Sequence, residues 1–279
     1  MAAPPQNHIS QIYLEAILAN DRVLLLQLAA LQPIAAEDAV YDAHCVCGCG
    51  KQVDIRETAI YHDEVSVETH RTMLEIGLIP KTNMKYLDKF ISNTTSSRDE
   101  EHLEMLLHEM DHLTIAAHRV EYDGLSDSIA DRMCFCFVNS STTRLPHLIE
   151  YAVGVIGVDP TIPGGSHVPL IYHAIRHGWV HLVEFLLDRG VPAVVHHPGI
   201  YPVLELISNY VFWLNHFEGG ETLLMKYHPN TVTTIADMIE LLAGHEYPFA
   251  EHAPELAAKL VDSGLPDVEP RLVPFAAIA

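Results

Sequence analysis

Basic residues are scarce in this chain: 16 lysines and arginines stand against 37 acidic residues, for a formal charge of −21. That imbalance speaks against a nucleic-acid partner, because phosphate binding rests on Lys and Arg neutralising the backbone. A basic or neutral partner, or plain solubility, is what the charge favours. Long apolar runs are missing as well. The longest near the N-terminus, Val23–Leu31, contains Gln27 and follows Glu15 and Asp21. No basic stretch precedes it, and nothing approaches the ~20 apolar residues of a membrane span, so neither a signal peptide nor a membrane partner is expected. Five cysteines are too few and odd in number for a disulfide framework, which predicts a reducing compartment, cytoplasmic or nuclear. The chain has no G-x-G-x-x-G after a strand, no phosphate loop and no G-x-S-x-G, and Gly164-Gly165-Ser166 and Gly219-Gly220 read as turns.

What the chain does have is apolar content: 49% of its 279 residues are hydrophobic and 19% charged, the balance of a folded protein. Its most legible stretch is His167–Gly190. Val168-Pro169-Leu170 predicts a helix start, since proline near the first helical position gives up only an N–H that has no partner there. Gly178 permits the positive φ of a reversal, and Leu182, Val183, Leu186 and Leu187 mark the buried stripe of a second helix that Gly190 ends. Two helices this short cannot bury their apolar faces alone and need neighbours of the same kind.

Those neighbours recur at a fixed interval. Gly157-Val158-Asp159-Pro160 lies 33 residues before Gly190-Val191-Pro192, and Phe135-Cys136-Phe137, Val168-Pro169-Leu170 and Tyr201-Pro202-Val203 keep the same spacing. So do Met73-Leu74-Glu75-Ile76-Gly77 and Leu106-Leu107-His108-Glu109-Met110, and Leu260–Gly264 repeats the ending once more. A 33-residue helix–turn–helix period is a solenoid signature. On these residues the chain resembles the ankyrin repeat family: Val168-Pro169-Leu170 stands at the Thr-Pro-Leu position, His177–Val183 at the Gly-His turn with its apolar helix, and Leu186-Leu187-Asp188-Arg189-Gly190 at the Leu-Leu-x-x-Gly ending. The likeness is strongest over 133–195, fair over Ile9–Ala116 and poor after Gly219. Threonine is replaced by Val168, the histidine after Pro-Leu by Ile171, and most units lack Thr-Pro.

The expectation is therefore an all-α fold, a helical-repeat solenoid of about six ankyrin-like helix pairs in one domain spanning 1–279. Helix pairs are predicted over Ile9–Leu31, Val53–Pro80 and Met84–Leu113, the last divided by a polar loop at Asn93–Asp99. The two best repeats cover 133–163 and 167–195. Loop insertions fall near 32–52 and 118–131. Gly199–Leu214 supplies one helix of a sixth pair, with its partner at Thr222–Tyr227 or Thr234–Ala243. The irregular C-terminal cap, 219–279, ends in a last helix at Glu251–Gly264 and an extended tail at Pro266–Pro274.

Three groups of residues carry candidate chemistry. His108-Glu109-Met110-Asp111-His112 satisfies H-E-x-x-H, in which two histidines on one helix face bind zinc and Glu109 acts as general base. The form also looks like the zinc helix of peptide deformylases, but their Glu-Gly-Cys-Leu-Ser stretch and glycine-rich strand are missing. The repeat register puts Met110 at the turn that ends a helix, which separates His108 from His112. Cys45, Cys47 and Cys49 form the second group: in an extended segment alternate thiols face one way and would suit zinc or copper, while a reduced, partly buried loop is the plainer alternative. Cys134 and Cys136, read at the start of a helix, repeat the C-x-C spacing. The third group is Tyr172, His173, Arg176, Trp179 and His181, on the first helix and turn of the best repeat. The family resemblance implies that this helix lines a concave, partner-facing side, whereas packing between repeats would equally account for Tyr172 and Trp179. His196, His197 and His216 would extend that histidine-rich surface, which would respond to pH between about 5 and 7. Two functions follow: a scaffold or adaptor that binds another protein without catalysis, or a metal-dependent hydrolase-like or metal-sensing protein.

Overall fold

The computed structural model describes residues 6–31, 33, 40–43, 51–62, 64–93, 97–122, 125–136, 144–161, 168–193, 201–216, 232–245 and 247–277. They are predominantly helical and divide into two compact units, Met1–His118 and Arg119–Ala279.

In the first unit α1 (Gln6–Leu18) and α2 (Arg22–Leu31) meet at a turn on Asn20, whose φ of +55° is one that asparagine tolerates better than most residues. Asp21 then accepts from the Leu24 N–H and starts α2. The Asn20 side chain reaches far along the sequence. Its Nδ2 donates to the Glu64 carbonyl at 2.7 Å, and its Oδ1 accepts from the Ser66 N–H at 2.7 Å and the Thr69 hydroxyl at 2.8 Å. Next come α3 (Ile55–Tyr61), α4 (Val67–Glu75), α5 (Met84–Asn93), α6 (Ser97–Glu109) and α7 (His112–Ala117). Helices α1, α3 and α5 pack in sequence as one row, and α2, α4 and α6 as another. Their shared core includes Tyr13, Ile17, Leu25, Met73, Leu87 and Leu106, all essentially inaccessible to solvent. Two histidines join it: His70 and His102 are buried with ring centroids 4.8 Å apart, edge to face, and their ring nitrogens donate to the Ser66 and Val65 carbonyls at 3.2 and 3.1 Å.

The second unit repeats the plan. Helix α8 (Ile129–Cys136) is followed by α9 (Leu145–Tyr151), which widens into a π turn over Ala152–Ile156. Then come α10 (Leu170–Arg176), α11 (Val180–Leu187), α12 (Pro202–His216), α13 (Val232–Gly244) and α14 (Ala253–Ser263). Helices α8, α10, α12 and α14 form one row; α9, α11 and α13 form the other. Gly157 and Gly190, 33 residues apart, close the second-row helices with φ of +88° and +77°. Packing within the second row is close: the Arg189 guanidinium lies 3.5 Å over the Phe185 ring, and both abut Gly154 of the π turn.

Several expectations need correction. The two insertions are not plain loops: each holds an antiparallel two-stranded ribbon, β1 (Val40–Ala43) with β2 (Lys51–Asp54), and β3 (Val120–Tyr122) with β4 (Leu125–Asp127). The 33-residue spacing misplaces α8. Phe135 and Cys136, one period before Val168-Pro169, end that helix instead of starting one, because residues 137–144 intervene before α9. Its start is set instead by a reciprocal cap: Ser128 Oγ accepts from the Asp131 N–H at 3.2 Å, while Asp131 Oδ2 accepts from the Ser128 N–H and hydroxyl. The chain after Gly264 is not an extended tail. Its prolines sit in the first turns of short helical segments, Leu265–Val268, Pro270–Leu272 and Val273–Ala276, the last of which packs on α14. Of the two candidate partners for α12, α13 packs against it, and the other lies in 217–231, outside the described residues.

Candidate functional site

Helix α10 owes its form to Pro169, extended at φ −63° and ψ 155°, ahead of a run from Leu170 to Ile175 that is buried throughout. A helix so enclosed has little surface to offer, and this decides the fate of three of the five residues singled out on it. Tyr172 is buried, and its hydroxyl donates to Glu205 Oε1 on α12 at 2.6 Å; burial and that carboxylate push its pKa far above the ordinary tyrosine value. Arg176 Nε lies 2.9 Å from Glu205 Oε2. His173 is 6% exposed, and burial together with the Arg176 charge lowers its pKa to about 4. Tyr172, His173 and Arg176 thus belong to the packing and bracing of α10.

Trp179 and His181 lie elsewhere. Gly178, at φ +70°, turns the chain out of α10, and Trp179 follows as the residue that caps α11, its carbonyl accepting from the Val183 N–H. The Trp179 indole stacks on the His177 ring, centroids 4.8 Å apart and 25° between planes. Trp179 and His181 line a cavity of about 330 Å³, together with His147 and Glu150 of α9 and Thr234 and Asp237 of α13. Glu150 Oε2 is 3.4 Å from His147 Nδ1. Asp237 Oδ1 accepts from Arg271 Nη1 at 2.6 Å, and Arg271 also bonds Glu240 at 3.2 Å and Glu269 at 3.1 Å. Of these, Glu150, Asp237 and Glu205 were missed by the sequence reading. Glu205 could have been found, standing one period after Tyr172; Asp237 could not, since the pairing of α13 was open.

The H-E-x-x-H residues do not share a helix. Helix α6 stops at Glu109, and Asp111 becomes the cap of α7, accepting from the Thr114 N–H at 2.8 Å and held below the usual carboxylate range by its bonds to Thr114. His112 therefore opens a new helix, with Nε2 3.2 Å from the Leu107 carbonyl. Glu109 faces cations, Arg71 Nε at 3.6 Å and Lys81 Nζ at 3.8 Å, and His108 is exposed. Cys45, Cys47 and Cys49 lie outside the described residues, in the connection between β1 and β2, as do His196 and His197. Cys134 is buried near the end of α8, not the start, and burial pushes its thiol pKa well up, the opposite of a reactive thiolate. Among the described residues no group of three or more His, Cys, Asp or Glu side chains is placed to hold a metal ion, and no helix is long and apolar enough to cross a membrane.

Comparison of the chain with protein-family models, curated proteins and solved structures finds no significant match.

Proposed function

We propose that this protein is a non-catalytic interaction module, a helical-repeat scaffold of the ankyrin kind that binds another protein. The observation that carries the reading is the cavity at the turn between α10 and α11, where Trp179 and His181 meet side chains of the helices on either side in the second row. Repeat scaffolds hold such sites rigidly, because each helix pair is braced by its neighbours. Further support comes from the 33-residue register and from the two rows of helices in each unit, which is the packing that stacked pairs require. Tryptophan is among the residues that most often anchor a protein partner. The surplus of acidic residues argues for a partner that is not a nucleic acid. The rival reading, a metal-dependent enzyme built on His108, Glu109 and His112, loses its geometry where α6 ends; zinc or copper at the 44–50 connection keeps only its sequence motif.

Affinity capture from the native cell, with the wild-type chain and with Trp179→Ala and His181→Ala in parallel, tests the proposal. Both side chains lie at the rim of the packing, so circular dichroism is expected to be unchanged while partner recovery falls. Equal recovery by all three chains removes this surface from the function.

A further inference from the structure

We infer that the cavity beside Trp179 recognises a cationic side chain of the partner, an arginine guanidinium or a lysine ammonium. The inference rests on the reading of Trp179 as a partner contact and adds its chemistry. A volume of about 330 Å³ is at the small end for ligand sites, suited to one long side chain and not to a folded element. Trp179 is in the wall, one face of its indole stacked on His177, and an indole face is the best among side chains for attracting a cation. Lysine and arginine also bring long apolar stems, and Val180, Leu182 and Pro146 supply apolar wall for one.

Charge decides between a cation and an anion. Glu150 and Asp237 stand in the lining, and Arg271, the cation bonded to Asp237, is shared among Asp237, Glu240 and Glu269. Three carboxylates around that guanidinium leave an excess of two negative charges, and Glu150, beside His147, adds another carboxylate to the lining. Against this stands the start of α11, where the His181 and Leu182 N–H groups open the helix and Trp179 contributes no side-chain cap. A helix end carries only about half a positive charge, and it fades within a turn. The carboxylates win, and the charge of −21 on the whole chain steers a basic segment toward the site.

The test uses the full chain, labelled with ¹⁵N, in which the Trp179 indole N–H resonance is assigned by its disappearance in Trp179→Phe. Four blocked amino acids serve as probes: the N-acetyl methylamides of arginine, lysine, norleucine and glutamate. The arginine and lysine probes are expected to shift the Trp179 resonance saturably, and norleucine and glutamate to leave it in place. Glu150→Gln is expected to weaken the arginine probe about fivefold, the worth of one partly exposed charge pair. Arg271→Gln removes the competing cation and is expected to tighten it; if that variant fails to fold, Glu150→Gln decides alone, since it leaves the Arg271 cluster intact. A larger shift with glutamate would assign the cavity to an anion at the α11 end. Equal shifts with norleucine would make it an apolar pocket, and no shift with any probe would also overturn the cationic assignment. None of these results touches the capture experiment: partner loss in Trp179→Ala with no response to arginine ends the cation assignment alone, and an arginine response with unchanged capture ends the partner reading alone.

Discussion

Tyr172 donates its hydroxyl to Glu205 at 2.6 Å, and the two residues are one 33-residue period apart. The same carboxylate takes the Arg176 guanidinium on its other oxygen. One acidic side chain on α12 therefore fixes two positions of α10, and a sequence period becomes a physical brace between consecutive helices. Tyr172→Phe is expected to cost about 1 kcal/mol in urea denaturation, the net worth of one hydrogen bond. Glu205→Ala should cost more, because it also strands Arg176, and the double variant should fall short of the sum. Strict additivity would mean the brace contributes nothing.

His173 makes the second unit sensitive to acid. Its pKa is lowered to about 4 by burial, whereas in the unfolded chain it returns to about 6.5. Between those values the unfolded state holds the extra proton, so stability falls as pH drops from about 6.5 to about 4. The full effect is roughly 3 kcal/mol. His173→Gln should flatten that part of the pH–stability curve, read by urea midpoints at fixed pH. A slope that survives the substitution would locate the sensitivity elsewhere.

Asp131 acts in the opposite sense. Burial raises its carboxyl to about 7, from the ordinary 3.8, although Ser128 donates to it. Between those values the folded state holds the proton, so this group loses stability as pH rises from about 4 to about 7. Asp131→Asn keeps an acceptor for the Ser128 cap and cannot ionise. It should gain stability relative to the wild type as pH rises through that window, with thermal melts at pH 5 and pH 7.5 as the comparison.

Gly190 isolates the cost of left-handed backbone. A Cβ there would meet no atom within 4 Å, so Gly190→Ala introduces no clash, only the φ of +77°. The expected loss is about 1–2 kcal/mol in urea denaturation, and Gly190→Asn should lose less because asparagine visits this region more readily. Equal losses would point to the side chain and not the backbone.

Glu109 provides the check on the zinc motif. Its partners Arg71 and Lys81 are at least two-fifths exposed, so Glu109→Gln should cost less than about 1 kcal/mol. His108→Ala and His112→Ala should leave the zinc content of purified protein, by elemental analysis, equal to that of the wild type. A loss of bound zinc in both would restore the motif.

The helices were legible where a terminator was. Gly178 and Gly190 permit the positive φ of a turn, and the register they set located α10, α11 and the turn at Met110 that follows α6. Asn20-Asp21 was readable for the same reason. What escaped was set by tertiary contact or by residues between repeats. Nothing in Phe135-Cys136 shows that α8 already ends there, because the Ser128–Asp131 cap that starts it lies in what reads as an acidic loop. The ribbon strands are only three or four residues long, too short for alternation to mark them. For the candidate site, pattern departures singled out five residues, of which Trp179 and His181 line the cavity while Tyr172, His173 and Arg176 pack or brace α10. Tyr172 and Arg176 depart from the pattern where they bond Glu205 on α12 and His173 where it is buried, whereas Trp179 lines a cavity with Glu150 and Asp237 from other helices.

The Asn20 side chain binds the Glu64 carbonyl, the Ser66 amide and the Thr69 hydroxyl, so the chain leaves α2 and returns to α4 through a closed excursion pinned at its base. The β1–β2 ribbon belongs to that excursion, and residues 44–50, with the three cysteines, join its strands in sequence. Loop closure grows only slowly with length, each doubling costing about 0.6 kcal/mol. Residues added between β1 and β2 are therefore expected to be tolerated, the flanking parts being held together by the Asn20 bonds and the α2–α4 contact. For a repeat array this is a place where new sequence can be acquired without unstacking the helices.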